Sequence, residues 1–117
     1  MLKNFRHFKA GPDPFGRVWQ ADLLWLQTAV AIRHSDSVDV KFMLSDGATR
    51  REQVVALDSS ALLELSRKTG RPLTDPWCTR LAASHLIRMI ETGADLDKSL
   101  VIVKPDELAL YDAMSES

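Results

Sequence analysis

The chain has 117 residues, 45% of them hydrophobic and 26% charged, with a formal net charge of −1, a composition that fits one ordinary domain without room for a second. Its single cysteine, Cys78, excludes an intramolecular disulfide and a Cys-rich zinc site. No apolar run approaches the ~18 residues of a membrane span, and Lys3, Arg6, His7 and Lys9 interrupt the segment where a secretory signal needs an apolar block, so the expected compartment is the cytoplasm.

Residues 1–17 hold Phe5, Phe8 and Phe15 around Gly11-Pro12-Asp13-Pro14. Two prolines in three residues, with Gly11 and Gly16 nearby, oppose a regular helix or a central strand. The segment therefore reads as an N-terminal arm lying on apolar surface, with residues 18–117 forming the domain proper. From Trp19 to His34 there is no proline or glycine. A helix competes here, because Ala, Leu and Gln favour one, but the scatter of Trp, Val, Ile and Thr predicts a long strand. Both of its phases are apolar in part: Leu24, Leu26, Val30 and Ile32 on one, Leu23, Trp25, Ala29 and Ala31 on the other.

Ser35-Asp36-Ser37 is a turn by composition. Val38, Val40, Phe42 and Leu44 then alternate with more polar residues, the period-2 pattern of a half-buried strand. Asp46-Gly47 marks a hairpin, and the returning strand spans roughly Arg50 to Leu57. A two-residue loop sets Lys41 opposite Glu52; a four-residue loop sets Val40 opposite Val55 and Val38 opposite Leu57. Asp58-Ser59-Ser60 supplies caps for a helix from Ser60 to Thr69, closed by Gly70. Asp75-Pro76 opens the next, with Asp75 as N-cap, Pro76 as first helical residue and Gly93 as the stop. On that helix Cys78, Leu81, Ala82, His85, Leu86, Met89 and Ile90 share one broad arc, too wide for a helix packed on a single side. Leu100-Val101-Ile102-Val103 reads as a short buried strand, and Pro105-Asp106-Glu107 begins a final amphipathic helix.

The chemistry-bearing residues form no catalytic constellation. Cys78 and His85 lie two helical turns apart on one face, ~10.5 Å from each other, beyond the reach of a nucleophile–base pair. Cys78 is expected to be a buried, inert thiol, and His85 a core histidine with one satisfied hydrogen bond. No HExxH or HxH spacing, GxGxxG, GxxxxGK[ST] or GxSxG occurs, so neither a metal nor another cofactor is expected, and no catalytic residue is named. Arg33, His34, Arg50 and Arg51 gather near strand ends, but Asp36, Asp39, Asp46 and Glu52 occupy the same tips, which argues against nucleic-acid binding.

Charge is distributed unevenly along the chain. Residues 1–17 carry +3, residues 18–90 carry +1, and residues 91–117 carry −5, with seven acids against Lys98 and Lys104. Neither end holds a run of five like charges, so solvated ends are the plain reading. The sharper one is head-to-tail recognition between copies, the basic end of one meeting the acidic end of another.

The order of elements predicts an α+β domain: a three-stranded antiparallel meander, two helices, a short fourth strand and a C-terminal helix, with the helices packed on one face of the sheet. The other face then needs cover. The expected function is a non-catalytic protein-interaction or scaffolding domain that forms a homodimer or meets a protein partner, with Phe5, Phe8, Phe15, Trp19 and Trp25 as interface anchors. The alternative is a small-ligand-binding or enzymatic domain whose pocket is lined by Trp77, His85 and Arg88.

Overall fold

The computed structural model describes residues 4–26 and 37–114. Five strands make one mixed sheet in the order β1-β2-β3-β4-β5: β1 (His7–Ala10), β2 (Trp19–Leu26), β3 (Ser37–Ser45), β4 (Arg50–Asp58) and β5 (Leu100–Val103). The first four pair antiparallel and β5 joins β4 in parallel. Helices α1 (Ser59–Thr69), α2 (Asp75–Thr92) and α3 (Pro105–Met114) complete the α+β architecture. Such a crossover through helices is what a parallel strand pair requires.

The meander contains one strand more than the sequence suggests. Within residues 1–17, His7–Ala10 forms the edge strand β1, with Phe8 opposite Ala21 and Ala10 opposite Trp19. Four residues are enough because the alternation is complete: Phe8 and Ala10 are buried while His7 and Lys9 face water. The Pro-rich segment after β1 is a connection, and Gly11 takes φ +122° there, where a Cβ would stand 2.8 Å from the Arg17 carbonyl oxygen.

The β3–β4 hairpin uses the four-residue loop, setting Val38 opposite Leu57 and Val40 opposite Val55. Asp46 organises the turn by accepting from the amides of Ala48 (2.9 Å) and Thr49 (2.7 Å). Lys41 and Glu52 are therefore diagonal, not directly opposite, and still form an ion pair at 3.2 Å.

The predicted long strand ends its described course at Leu26, and the remainder of it, with the turn residues Ser35 and Asp36, lies outside the described residues. Within the described part the alternation breaks once. The register shifts between Leu23, which faces Phe42, and Trp25, which faces Lys41. This β-bulge at Leu24 exchanges the two faces. Leu23 thus packs with Phe42 on the core side, correcting its expected place on the uncovered side, while Trp25 turns outward.

Asp58 caps α1 by accepting from the Ala61 amide at 2.9 Å, and Gly70 closes it in the left-handed conformation. For α2 the N-cap is Thr74, whose hydroxyl accepts from the Trp77 amide at 3.3 Å. Asp75, expected as the cap, is already helical and instead places a carboxylate in the first turn, where the helix dipole favours it. The core lies between the sheet and the helices: Phe42, Leu44, Val55 and Leu57 meet Leu81, Leu86, Met89 and Ile90 of α2, Leu62 of α1 and Leu108 of α3. Among the described residues no helix is long and apolar enough to cross a membrane.

Candidate functional site

The five aromatic anchors expected at an interface divide between interior and surface. Phe8 and Trp19 are buried in the domain's own core, which corrects their expected place at an interface: Phe8 meets Phe42 edge-on, with ring centroids 5.9 Å apart, and the indole N–H of Trp19 is held by a carboxylate. Phe5 is partly buried against the core cluster. Phe15 and Trp25 remain exposed, at 80% and 52% of their surface.

The Trp19 partner is Asp13, a buried acid in the β1–β2 connection. One of its oxygens accepts from the amides of Phe15 and Arg17, both at 2.9 Å, and the other from the Arg17 guanidinium at 2.9 Å and the Trp19 indole at 3.1 Å. Desolvation opposes its charge, but the bonds from Trp19, from the Arg17 amide and guanidinium and from the Phe15 amide prevail and bring its pKa down to about 2. The Arg17 guanidinium also stacks over Trp19, 4.9 Å from the ring centroid. This network fixes the start of β2.

The three residues assigned to one pocket are held apart. Trp77 lines a depression of about 320 Å³ with Phe5, Arg71 and Arg80, while Arg88 lines another of about 340 Å³ between α2 and α3 with Tyr111. His85 lines neither. It is buried, its Nδ1 is 2.8 Å from the Tyr111 hydroxyl, and Glu107 approaches at 3.8 Å. Burial lowers the His85 pKa below its ordinary range; Glu107 opposes this, Arg88 adds to it and Asp95 opposes it. His85 is thus buried in the α2–α3 contact, where desolvation favours its neutral form. Cys78 is likewise buried, its thiol pushed up to about 12 by desolvation first and then by Asp75.

Asp112 is a residue whose role no pattern in the sequence announces. It lies buried on α3, accepts from the Trp77 indole N–H at 2.9 Å, and pairs with Arg71 at 2.8 Å and Arg80 at 3.5 Å. Trp77 and its neighbours therefore staple α3 to the start of α2. Among the described residues no three His, Cys, Asp or Glu side chains come together as metal ligands.

The side of the sheet away from the helices is a surface of a different kind. Lys9, Gln20, Asp22, Lys41, Met43 and Glu52 share it with apolar residues. On β5, Leu100 and Ile102 are 49% and 64% exposed; on β2, with β3 and β4 between, Trp25 is 52% exposed and the bulge residue Leu24 48%. Leu100 and Ile102 correct the expectation that β5 is buried throughout: only Val101 and Val103 point into the core. Alternation explains the difference: Leu100 and Ile102 lie opposite Val54 and Ala56 on the side away from the helices, and no described strand flanks β5 on its outer edge.

No protein-family model, curated protein or solved structure matches the chain.

Proposed function

We propose that the chain is a non-catalytic protein-interaction or scaffolding domain that self-associates through its sheet. The observation that carries this reading is the exposure of four large apolar side chains of the sheet, Leu24 and Trp25 on β2 and, across β3 and β4, Leu100 and Ile102 on β5. A domain that buries Phe8, Trp19 and Trp77 while leaving a tryptophan and an isoleucine in water has surface suited to a partner. Sedimentation velocity over a concentration series tests it. Association is expected, and the double substitution Trp25→Ser with Ile102→Ser should shift the distribution to monomer; a wild-type chain that stays monomeric at its solubility limit ends the proposal.

One observation favours a second reading, small-ligand binding. The depression between α2 and α3 presents the Arg88 side chain beside Tyr111, and its size of about 340 Å³ is at the low end for ligand sites. A metabolite that raises the melting temperature of the wild type but not of Arg88→Ala would favour this reading over the first.

A further inference from the structure

The depression at the start of α2 brings guanidinium groups together with flat apolar side chains. Arg71 and Arg80 line it with Phe5, Pro72, Pro76 and Trp77. Phe5 comes from the segment before β1, Arg71 and Pro72 from the α1–α2 connection, and the rest from α2 itself, so the wall is assembled by the tertiary fold. We propose that this depression binds an aromatic carboxylate, the carboxylate on Arg80 and the ring against Phe5 and Trp77. The site is separate from the depression that holds Arg88 and Tyr111, and its occupancy does not depend on self-association.

The donors around Asp112 outnumber what its carboxylate satisfies. A single oxygen, Oδ1, accepts the Trp77 indole N–H at 2.9 Å and also faces Arg71 Nε at 2.8 Å and Arg80 Nη2 at 3.5 Å. Arg80 has the longest of these contacts. Its Nε is buried and meets no acceptor among the described residues. A guanidinium stays charged at any ordinary pH and spreads several N–H donors over one plane, so one distant carboxylate oxygen leaves most of that capacity unused. The Arg80 side chain is 23% exposed, which desolvates it in large part yet keeps it in the wall of the depression. A partly desolvated charged donor that lacks acceptors gains more from an anionic ligand than a solvated one does.

The rest of the wall selects the body of the ligand. Among the described residues no carboxylate lines the depression, and Asp75, next to Pro76, is absent from the lining and acts on Cys78. Two aromatic and two proline side chains make the remaining surface chiefly apolar, which suits a ring and offers nothing to inorganic phosphate. A planar carboxylate matches the guanidinium fork, and aromatic rings pack on one another edge-on or offset. The volume of about 320 Å³ is at the small end of ligand sites, enough for one ring with a short acidic arm.

Nuclear magnetic resonance titration of the full chain tests the site, with phenylacetate, its neutral counterpart phenylacetamide and inorganic phosphate as probes. Phenylacetate should shift the Trp77 indole N–H resonance saturably, and the other two should bind about tenfold more weakly or worse. Arg80→Met keeps the apolar stem and leaves Asp112 with Trp77 and Arg71, so it should fold and lose about tenfold in phenylacetate affinity. If circular dichroism shows that it does not fold, Arg80→Lys, which keeps the charge but not the planar fork, takes its place with the same expected direction. A tripeptide ending in phenylalanine identifies the source of the carboxylate. Tighter binding than phenylacetate, lost on amidation of its C-terminus, assigns the site to a chain end; weaker binding assigns it to a free acid. The proposal is overturned by equal affinity for phenylacetate and phenylacetamide, by an Arg80 variant that binds as wild type does, by shifts confined to Arg88 and Tyr111, or by no saturable shift at all.

Discussion

Asp13 gathers four donors onto one carboxylate, and the depth of its pKa gives that arrangement a pH signature. The folded value of about 2 lies below the value of about 3.9 expected in the unfolded chain. Its contribution is therefore present above the unfolded value and is lost as pH falls toward the folded one. Asp13→Asn should lower the melting temperature at neutral pH, with the gap to wild type narrowing from about pH 4 to pH 2; a gap independent of pH would remove the charge from the explanation. Gln53 is the opposite kind of residue. It sits on the core side opposite Phe42, fully buried, with its amide N–H donating to the Val54 carbonyl at 3.2 Å and no described group donating to Oε1. A buried acceptor without a donor costs about 1–3 kcal/mol. Gln53→Leu should accordingly stabilise the fold by about 1 kcal/mol in urea unfolding, and a loss of stability would mean that the amide has a partner after all.

Helix α2 connects this chemistry to the larger elements. Its His85 meets Tyr111 and Glu107 of α3, with Arg88 on its own helix and Asp95 in the following loop. Because the folded pKa is lowered, the neutral ring is the form the structure holds, so stability is retained above the unfolded value of about 6.5 and eroded as pH falls below it. His85→Asn should flatten the decline in melting temperature between about pH 7 and pH 5; an unchanged slope would assign that decline to other groups. How far such elements are legible from residues alone depends on the length of the pattern. The β3–β4 hairpin, the glycine stops at Gly70 and Gly93 and the buried arc of α2 are all readable, because each rests on several residues in register or on a backbone conformation that favours glycine. β1 is not, since four residues give only two periods of alternation and the adjacent prolines carry the stronger signal. The bulge at Leu24 is also hidden: a single extra residue reverses the faces of β2, so alternation read straight through the strand puts Leu23 and Trp25 on one side when they lie on opposite sides. Nor does spacing reveal Asp112, because its contacts with Trp77, Arg71 and Arg80 are tertiary.

At the scale of the molecule, the placement of β1 decides how much of the chain is needed to fold. Phe8 and Ala10 belong to the core, Phe8 covers the edge of Phe42, and Asp13 secures Trp19 at the head of β2. Removing residues 1–17 strips β2 of its neighbour and exposes Phe42 and Trp19 together. Burying one phenylalanine contributes about 1.5–3 kcal/mol, and the strand pairing, Ala10 and the Asp13 network add to that loss. Against a total stability of about 5–15 kcal/mol for a domain of ordinary size, the sum is large enough to abolish cooperative folding or bring it to the margin. A chain beginning at Val18 should therefore show weak near-ultraviolet dichroism and a broad, low-temperature transition, whereas a detachable arm would leave the melting curve in place.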